Sequence, residues 1–351
     1  MKRIIAAISL CLCICSGCQK QQPDVTQATT TTEASTTAAP VTPDSPETGV
    51  KWYEKIKCNT GEWTGYVAET VDYFFYTAED GLWRFDKATQ AEVMVFADED
   101  LRGVLLSDDS LYYHDRQAIY RSGLDGSLGV AVWQYDMCPD EWRDDMSDGI
   151  RDFQAYAGCL YILVDGLQLV KYDLNTKISE CLLEDVASFT VNGNYCYYIE
   201  HASRSFSVFQ KDLTTGETVM LRGDGKDWDA EDKVRYDTPV CFNGQLFFTI
   251  RQTENIFLYS ENGEDSLLLD PDNSYSRVIV LEHCGYKNLC YYVYDGTQYI
   301  LYERDGEGNT TLLLTLDKES NPYFNKSVRV VDSAVFWKST EDGAISCFMR
   351  T

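Results

Sequence analysis

The chain has 351 residues, 44% hydrophobic and 13% aromatic, and its 30 Lys+Arg against 56 Asp+Glu give a formal charge of -26. A field of that sign repels phosphate backbones and anionic head groups, which excludes nucleic-acid binding and direct adhesion of the globular part to anionic lipid. The 24 Tyr and 15 Phe suit half-buried strands better than helices, and the apolar share is large enough for an extensive core.

At the start, Lys2 and Arg3 precede an apolar run from Ile4 to Cys15, followed by Ser16-Gly17-Cys18. This is the pattern of a secretory signal peptide, too short to be a spanning helix with flanks of its own. The small residues before Cys18 suit a lipoprotein signal peptidase, so residues 1–17 are expected to be removed and Cys18 to carry a diacylglycerol. The stretch resembles bacterial lipoprotein lipoboxes, with Cys15 where Leu is usual. Cleavage as an ordinary secreted protein near the same place is the alternative. Acyl chains contribute about 0.8 kcal/mol per buried CH₂, so two or three of them anchor a protein without a spanning helix.

Residues 18–50 comprise the lipidated cysteine and a Thr- and Pro-rich stretch almost without large apolar side chains. Such a composition cannot offset the entropy of ordering, so a disordered tether is expected, with an rms span of roughly 30 Å if it behaves as a flexible coil.

From residue 51 to 351 the sequence repeats. Ser188 to Arg222 reads as four short strands with turns predicted at Asn192-Gly193 and Thr215-Gly216. Doubled aromatic or apolar pairs mark seven such units: Phe74-Phe75, Tyr112-Tyr113, Leu160-Tyr161, Tyr197-Tyr198, Phe247-Phe248, Tyr291-Tyr292 and Phe336-Trp337. Their intervals of 38, 48, 37, 50, 44 and 45 residues are those of four-stranded propeller blades, which predicts an all-β, seven-bladed β-propeller. The seventh unit ends without a fourth strand. An open blade would leave an unpaired edge, so Lys51 to Cys58 is predicted to supply the missing outer strand and close the ring.

Ile119 to Ser127, with Tyr112-Tyr113-His114-Asp115 before it, resembles a unit of the YWTD-type propellers of low-density-lipoprotein-receptor-related proteins. The chain from about Trp52 to Thr351 is similar to the propeller domain, named for that likeness, of Gram-positive surface lipoproteins. The equivalents FFYT, YILV, YYIE, FFTI, YYVY and FWKS lack the acid of the tetrapeptide. The resemblance implies a binding or scaffolding propeller whose partner is unknown.

For chemistry, the cysteines beyond Cys18 are Cys58, Cys138, Cys159, Cys181, Cys196, Cys241, Cys284, Cys290 and Cys347. They are odd in number and irregular in spacing, which argues against a disulfide framework and for small apolar packing residues. His283, Cys284 and Cys290 lack a fourth ligand for a soft metal, and no metal or other cofactor is expected. His114, His201 and His283 fall in different units, and no Gly-x-Ser-x-Gly elbow is present, so no catalytic residue is assigned.

The two longest intervals contain Asp136 to Asp152 and Arg222 to Pro239, each joining an outer strand to the next inner strand on one face of the ring. Trp142 and Asp144 in the first, and Trp228 and Asp229 in the second, are the candidate ligand contacts, since long loops on a rigid repeat tend to carry function. The structural alternative is that each Trp merely pins its loop to the rim. The expected role is that of a lipid-anchored binding or scaffolding protein on the extracytoplasmic face of the cell membrane. Its partner would be a glycan, a peptide or an envelope protein. The rival reading is a glycan-cleaving enzyme using loop carboxylates.

Overall fold

Residues 186–222 show why the sequence repeats as it does. Val186–Asn192, Tyr195–Glu200, Val208–Asp212 and Thr218–Arg222 form an antiparallel sheet paired in chain order. The computed structural model describes residues 52–56, 63–107, 109–127, 129–135, 149–164, 167–201, 206–223, 234–250, 255–267, 277–280, 288–338 and 345–349. It contains seven four-stranded sheets arranged as a seven-bladed β-propeller. We number the blades 1 to 7 from the inner strands Trp63–Glu69, Gly103–Ser107, Ile150–Tyr156, Val186–Asn192, Tyr236–Phe242, Arg277–Val280 and Arg329–Val331.

Blade 7 closes as the sequence predicts. Its outer strand is Trp52–Ile56, antiparallel to Ile345–Met349, with Trp52 opposite Phe348, Tyr53 opposite Cys347 and Ile56 opposite Ile345. The start of the propeller is thereby hydrogen-bonded to its end, and the last sheet has the same four strands as the others.

The doubled pairs mark the second strand of each blade because successive residues of a strand point to opposite faces, and both faces here meet a neighbouring blade. Phe74 packs with Phe336 of blade 7, whereas Phe75 packs with Leu111 and Tyr113 of blade 2. Leu160 lies with Tyr112 and Trp133 of blade 2, and Tyr161 with Phe189 and Tyr198 of blade 4. Tyr291 joins Phe247 of blade 5, and Tyr292 joins Trp337 of blade 7. The core is therefore a set of seven inter-blade clusters, each fed by one residue of two adjacent pairs. Truncating one such ring to Ala would cost roughly 3–5 kcal/mol. A feature absent from the sequence reading is one helical turn, Phe324–Ser327, that drops the fully buried Phe324 between blades 6 and 7.

The turns between third and outer strands follow one recipe in three blades. Asp86, Asp173 and Asp212 each accept, through Oδ1, the backbone N–H groups two and three residues on, at 2.7 to 3.0 Å. These bonds hold the three carboxyls below the usual aspartate range. Four residues after each Asp stands a residue with positive φ: Gln90, Lys177 and Gly216.

The first hairpin of blade 4 departs from expectation by one residue. Asn192 pairs with Tyr195, so the turn residues are Gly193 and Asn194 and not Asn192-Gly193. Gly193 takes φ 60° at the first central position, which leaves Asn192 free to extend the ladder. The Asn-Gly turn proper occurs in blade 5, where Asn243 and Gly244 have φ 49° and 75°.

Candidate functional site

Every inner strand borders the central channel, and four of them are bulged near their first half. The pairing with the second strand shifts between Trp63 and Val67, Ile150 and Asp152, Val186 and Ser188, and Asp237 and Val240. Bulges re-aim side chains, and here the residues beside them border a common cavity. Tyr66, Gly103, Asp152, Ser188 and Pro239 face it from blades 1 to 5, together with His114, Gln154 and Thr190. The space is about 820 Å³ when the open solvent at its mouth is counted.

His114 belongs to a second strand, yet it reaches this cavity because its cross-strand partner is Gly103. A Cβ on Gly103 would lie 2.6 Å from both Cδ2 and Nε2 of His114, so the imidazole occupies the space a side chain would take and lies across the inner strand. The ring is 2% exposed and meets Phe153 edge to face at 5.2 Å. His114 Nδ1 is 2.9 Å from the carbonyl oxygen of Asp115, which only accepts, so Nδ1 carries the proton and Nε2 is the lone-pair side. Burial, with a smaller opposing effect from Asp115, lowers the His114 pKa to about 4, and the ring is neutral at pH 7.

Ser188 contributes a second polar atom. Its Oγ is buried and has no hydrogen-bond partner among the described residues. Asp152 is the acidic residue of the lining, and its Oδ1 accepts the N–H of Phe153 at 2.7 Å.

Asp115 builds the turn that carries His114. Its Oδ1 accepts the N–H groups of Gln117 and Ala118 at 2.5 Å, and its Oδ2 accepts Tyr120 Oη–H at 2.9 Å. The same role recurs in blade 6, where Asp295 Oδ1 accepts the N–H groups of Thr297 and Gln298 at 2.8 and 2.7 Å. Asp295 follows YYVY by one residue, which is why a comparison of tetrapeptides alone misses it.

The start of an inner strand is tied to the preceding blade in three places. The N–H groups of Ile150, Val186 and Tyr236 donate to the carbonyls of Arg116, Leu167 and Phe206, at 2.9, 2.7 and 2.9 Å. Gly149 permits the first of these: its φ is 81°, and a Cβ there would fall 2.0 Å from Arg116 O. Ile150 and Tyr236, which follow the two long connections, thus lie beside the turns between second and third strands of the preceding blades. Trp142, Asp144, Trp228 and Asp229 themselves lie outside the described residues, as do Cys18, Cys58, Cys138, His283 and Cys284.

The remaining cysteines behave as packing residues. Cys196, Cys290 and Cys347 are buried, and none of the six described cysteines is in a disulfide. Burial pushes the Cys196 and Cys241 thiols up to about 12, which suppresses the thiolate. His201 is exposed beside Phe206 in blade 4, away from His114 in blade 2. The inner-strand site was not among the sequence candidates; Gly103 at the head of an apolar run was its one available signal.

No protein-family model matches the chain, and no curated protein matches it. Solved structures do. The chain is similar to the β-propeller domain of Swd1 (Cps50) from Myceliophteria thermophila, at 13% identity and TM-score 0.53, covering 86% of this chain and 100% of that one. It is also similar to PorZ, a bacterial surface component of the type-IX secretion system of Porphyromonas gingivalis, at 11% identity and TM-score 0.56, over 83% of this chain and 37% of that one. A third is the CNH domain of AfRom2, at 11% identity and TM-score 0.51, over 83% and 95%. At these identities the likeness establishes the propeller fold and nothing finer.

Proposed function

We infer that the chain is a non-catalytic binding or scaffolding lipoprotein. Diacylated Cys18 holds it on the extracytoplasmic face of a bacterial membrane, and residues 19–50 carry the propeller above the lipid. Its partner is a glycan, a peptide or another envelope protein. The observation that supports this reading most is that the described chain resumes after the first long connection at Ile150, bonded to the turn that follows His114, and His114 lines the cavity. Rigid repeats tend to carry recognition on their long connections, and the sequence of these two supplies Trp142 with Asp144 and Trp228 with Asp229.

Two measurements test the proposal. Cys18→Ala should move the protein from the detergent phase into the medium or leave an uncleaved precursor; unchanged partitioning removes the anchor. The full-length lipoprotein, screened on a glycan array and used to capture partners from an envelope extract, should retain a ligand. Replacing both Trp142 and Trp228 by Ala should weaken that retention roughly tenfold, as hot-spot truncations cost over about 1 kcal/mol. Turnover of a bound glycan, read as new reducing ends, would instead establish the hydrolase.

A further inference from the structure

We propose that the channel cavity is a binding subsite for a neutral polyhydroxylated ligand, a sugar or polyol, held by His114 Nε2 and Ser188 Oγ. This deepens the reading of the propeller as a binding module by giving it a second site, within the ring, and a ligand class.

The argument starts from unmet hydrogen bonding. A buried polar atom without a partner costs about 1–3 kcal/mol, and folded proteins keep few of them. Ser188 Oγ is such an atom, and Ser188 is one of the residues that line the cavity. His114 supplies another unmet group. Its Nδ1 is committed to Asp115 O, which fixes the tautomer and leaves the Nε2 lone pair over Gly103 without a partner among the described residues. The imidazole is 2% exposed and borders the same cavity. An acceptor, Nε2, and a hydroxyl that both donates and accepts therefore belong to two residues that line one space. A ligand rich in hydroxyls is complementary to both, since each of its O–H groups does both as well.

The acidic residue of the lining selects against anions, which would meet Asp152. A neutral polyol avoids that repulsion, and its hydroxyls can donate to a carboxylate as they can to the imidazole. Gly103 is the enabling residue, because any side chain there would displace the His114 ring from the channel wall.

The test is titration of the full-length protein, by calorimetry and thermal shift, with N-acetylglucosamine, methyl glucoside, myo-inositol and glycerol. Acetate and methylammonium serve as charged controls. A neutral compound should bind saturably and raise the melting temperature, while the two ions do neither. Ser188→Ala should weaken that binding at least tenfold and leave the ligand-free melting temperature unchanged or higher, because it removes a hydroxyl that bonds to nothing in the protein. Gly103→Ala should weaken it as well by moving the ring. A soluble glycan fragment ending in the bound sugar distinguishes a chain terminus from a free sugar, and binding of either supports the site. Unchanged affinity in Ser188→Ala, tighter binding of either ion, or no binding of any neutral compound at millimolar concentration overturns the proposal. Should the Trp142 and Trp228 double alanine variant lose the sugar while Ser188→Ala keeps it, this subsite falls and the wider binding role stands.

Discussion

Glu69 Oε2 of blade 1 accepts the backbone N–H of Ser333 in blade 7 at 2.8 Å, across 264 positions of sequence. The other oxygen, Oε1, takes the Ser333 hydroxyl and pairs with Lys87 Nζ, while the Glu69 side chain is 9% exposed. The seam where the ring closes is thus held by a charge-assisted cluster as well as by the strand Trp52–Ile56. Glu69→Ala would leave the Lys87 ammonium without its counter-ion, though still bonded to Thr70 O, and the Ser333 N–H unpaired, which costs about 2–4 kcal/mol. Urea unfolding should show that loss. The additional loss from Ser333→Ala should be smaller in the Glu69→Ala background than in wild type. A change below about 0.5 kcal/mol would mean that water replaces the cluster.

The closing strand carries its own prediction. Removing residues 51–58 deletes the partners of Phe348, Cys347 and Ile345 and bares the edge of the third strand in blade 7. With roughly 1 kcal/mol per lost ladder bond, the destabilisation should reach about 2–4 kcal/mol, and the exposed edge should promote association. A shortened chain that melts at the wild-type temperature and stays monomeric would sink this account of closure.

The Asp-anchored turns make a prediction in the other direction. Gln90 and Lys177 hold φ of 60° and 63° at the place where blade 4 has Gly216 with 77°. Side chains pay about 1 kcal/mol in this region of backbone space and glycine does not. Gln90→Gly and Lys177→Gly should each stabilise the protein slightly, by up to about 0.6 kcal/mol once the unfolded-state entropy of roughly 0.4–1 kcal/mol is subtracted. The two should add, since they lie in blades 1 and 3. Calorimetric melting of both single variants and the double variant provides the check.

These results separate what the sequence makes legible from what it hides. Strand count, blade boundaries and the closing strand follow from local patterns: the doubled pairs advertise the two buried faces of each blade, and Lys51 to Cys58 completes an otherwise open sheet. The channel site follows from register, which no local pattern states. Gly103 and His114 stand on different strands, and only their pairing turns a small residue and an apparently isolated histidine into one feature. The one-residue shift at Asn192 has the same origin, because the ladder to Tyr195 outweighs the preference of Asn for a turn. Phe324 was hidden for a related reason, since a single helical turn is too short to show a period.

The buried histidine gives a pH dependence whose sign is fixed. An unfolded histidine titrates near 6.5, whereas His114 in the fold titrates at about 4 because burial penalises its charged form. Between those values the unfolded chain binds a proton that the native protein refuses. The contribution of His114 is therefore complete above about pH 6.5 and is lost as pH falls toward 4, by an amount of about 3 kcal/mol. Asp86, Asp173 and Asp212, with lowered pKa values, weaken the fold at lower pH still, and Glu92, raised by burial, acts in the opposite sense. Those groups are common to wild type and to His114→Phe, so the difference between the two stability profiles isolates the imidazole. That difference should change by about 3 kcal/mol from pH 6.5 to 4, with the variant the flatter of the two in this window. Parallel profiles would show that His114 titrates alike in the folded and unfolded chain, and below about pH 6.5 its Nε2 would then be a donor to the channel and not an acceptor.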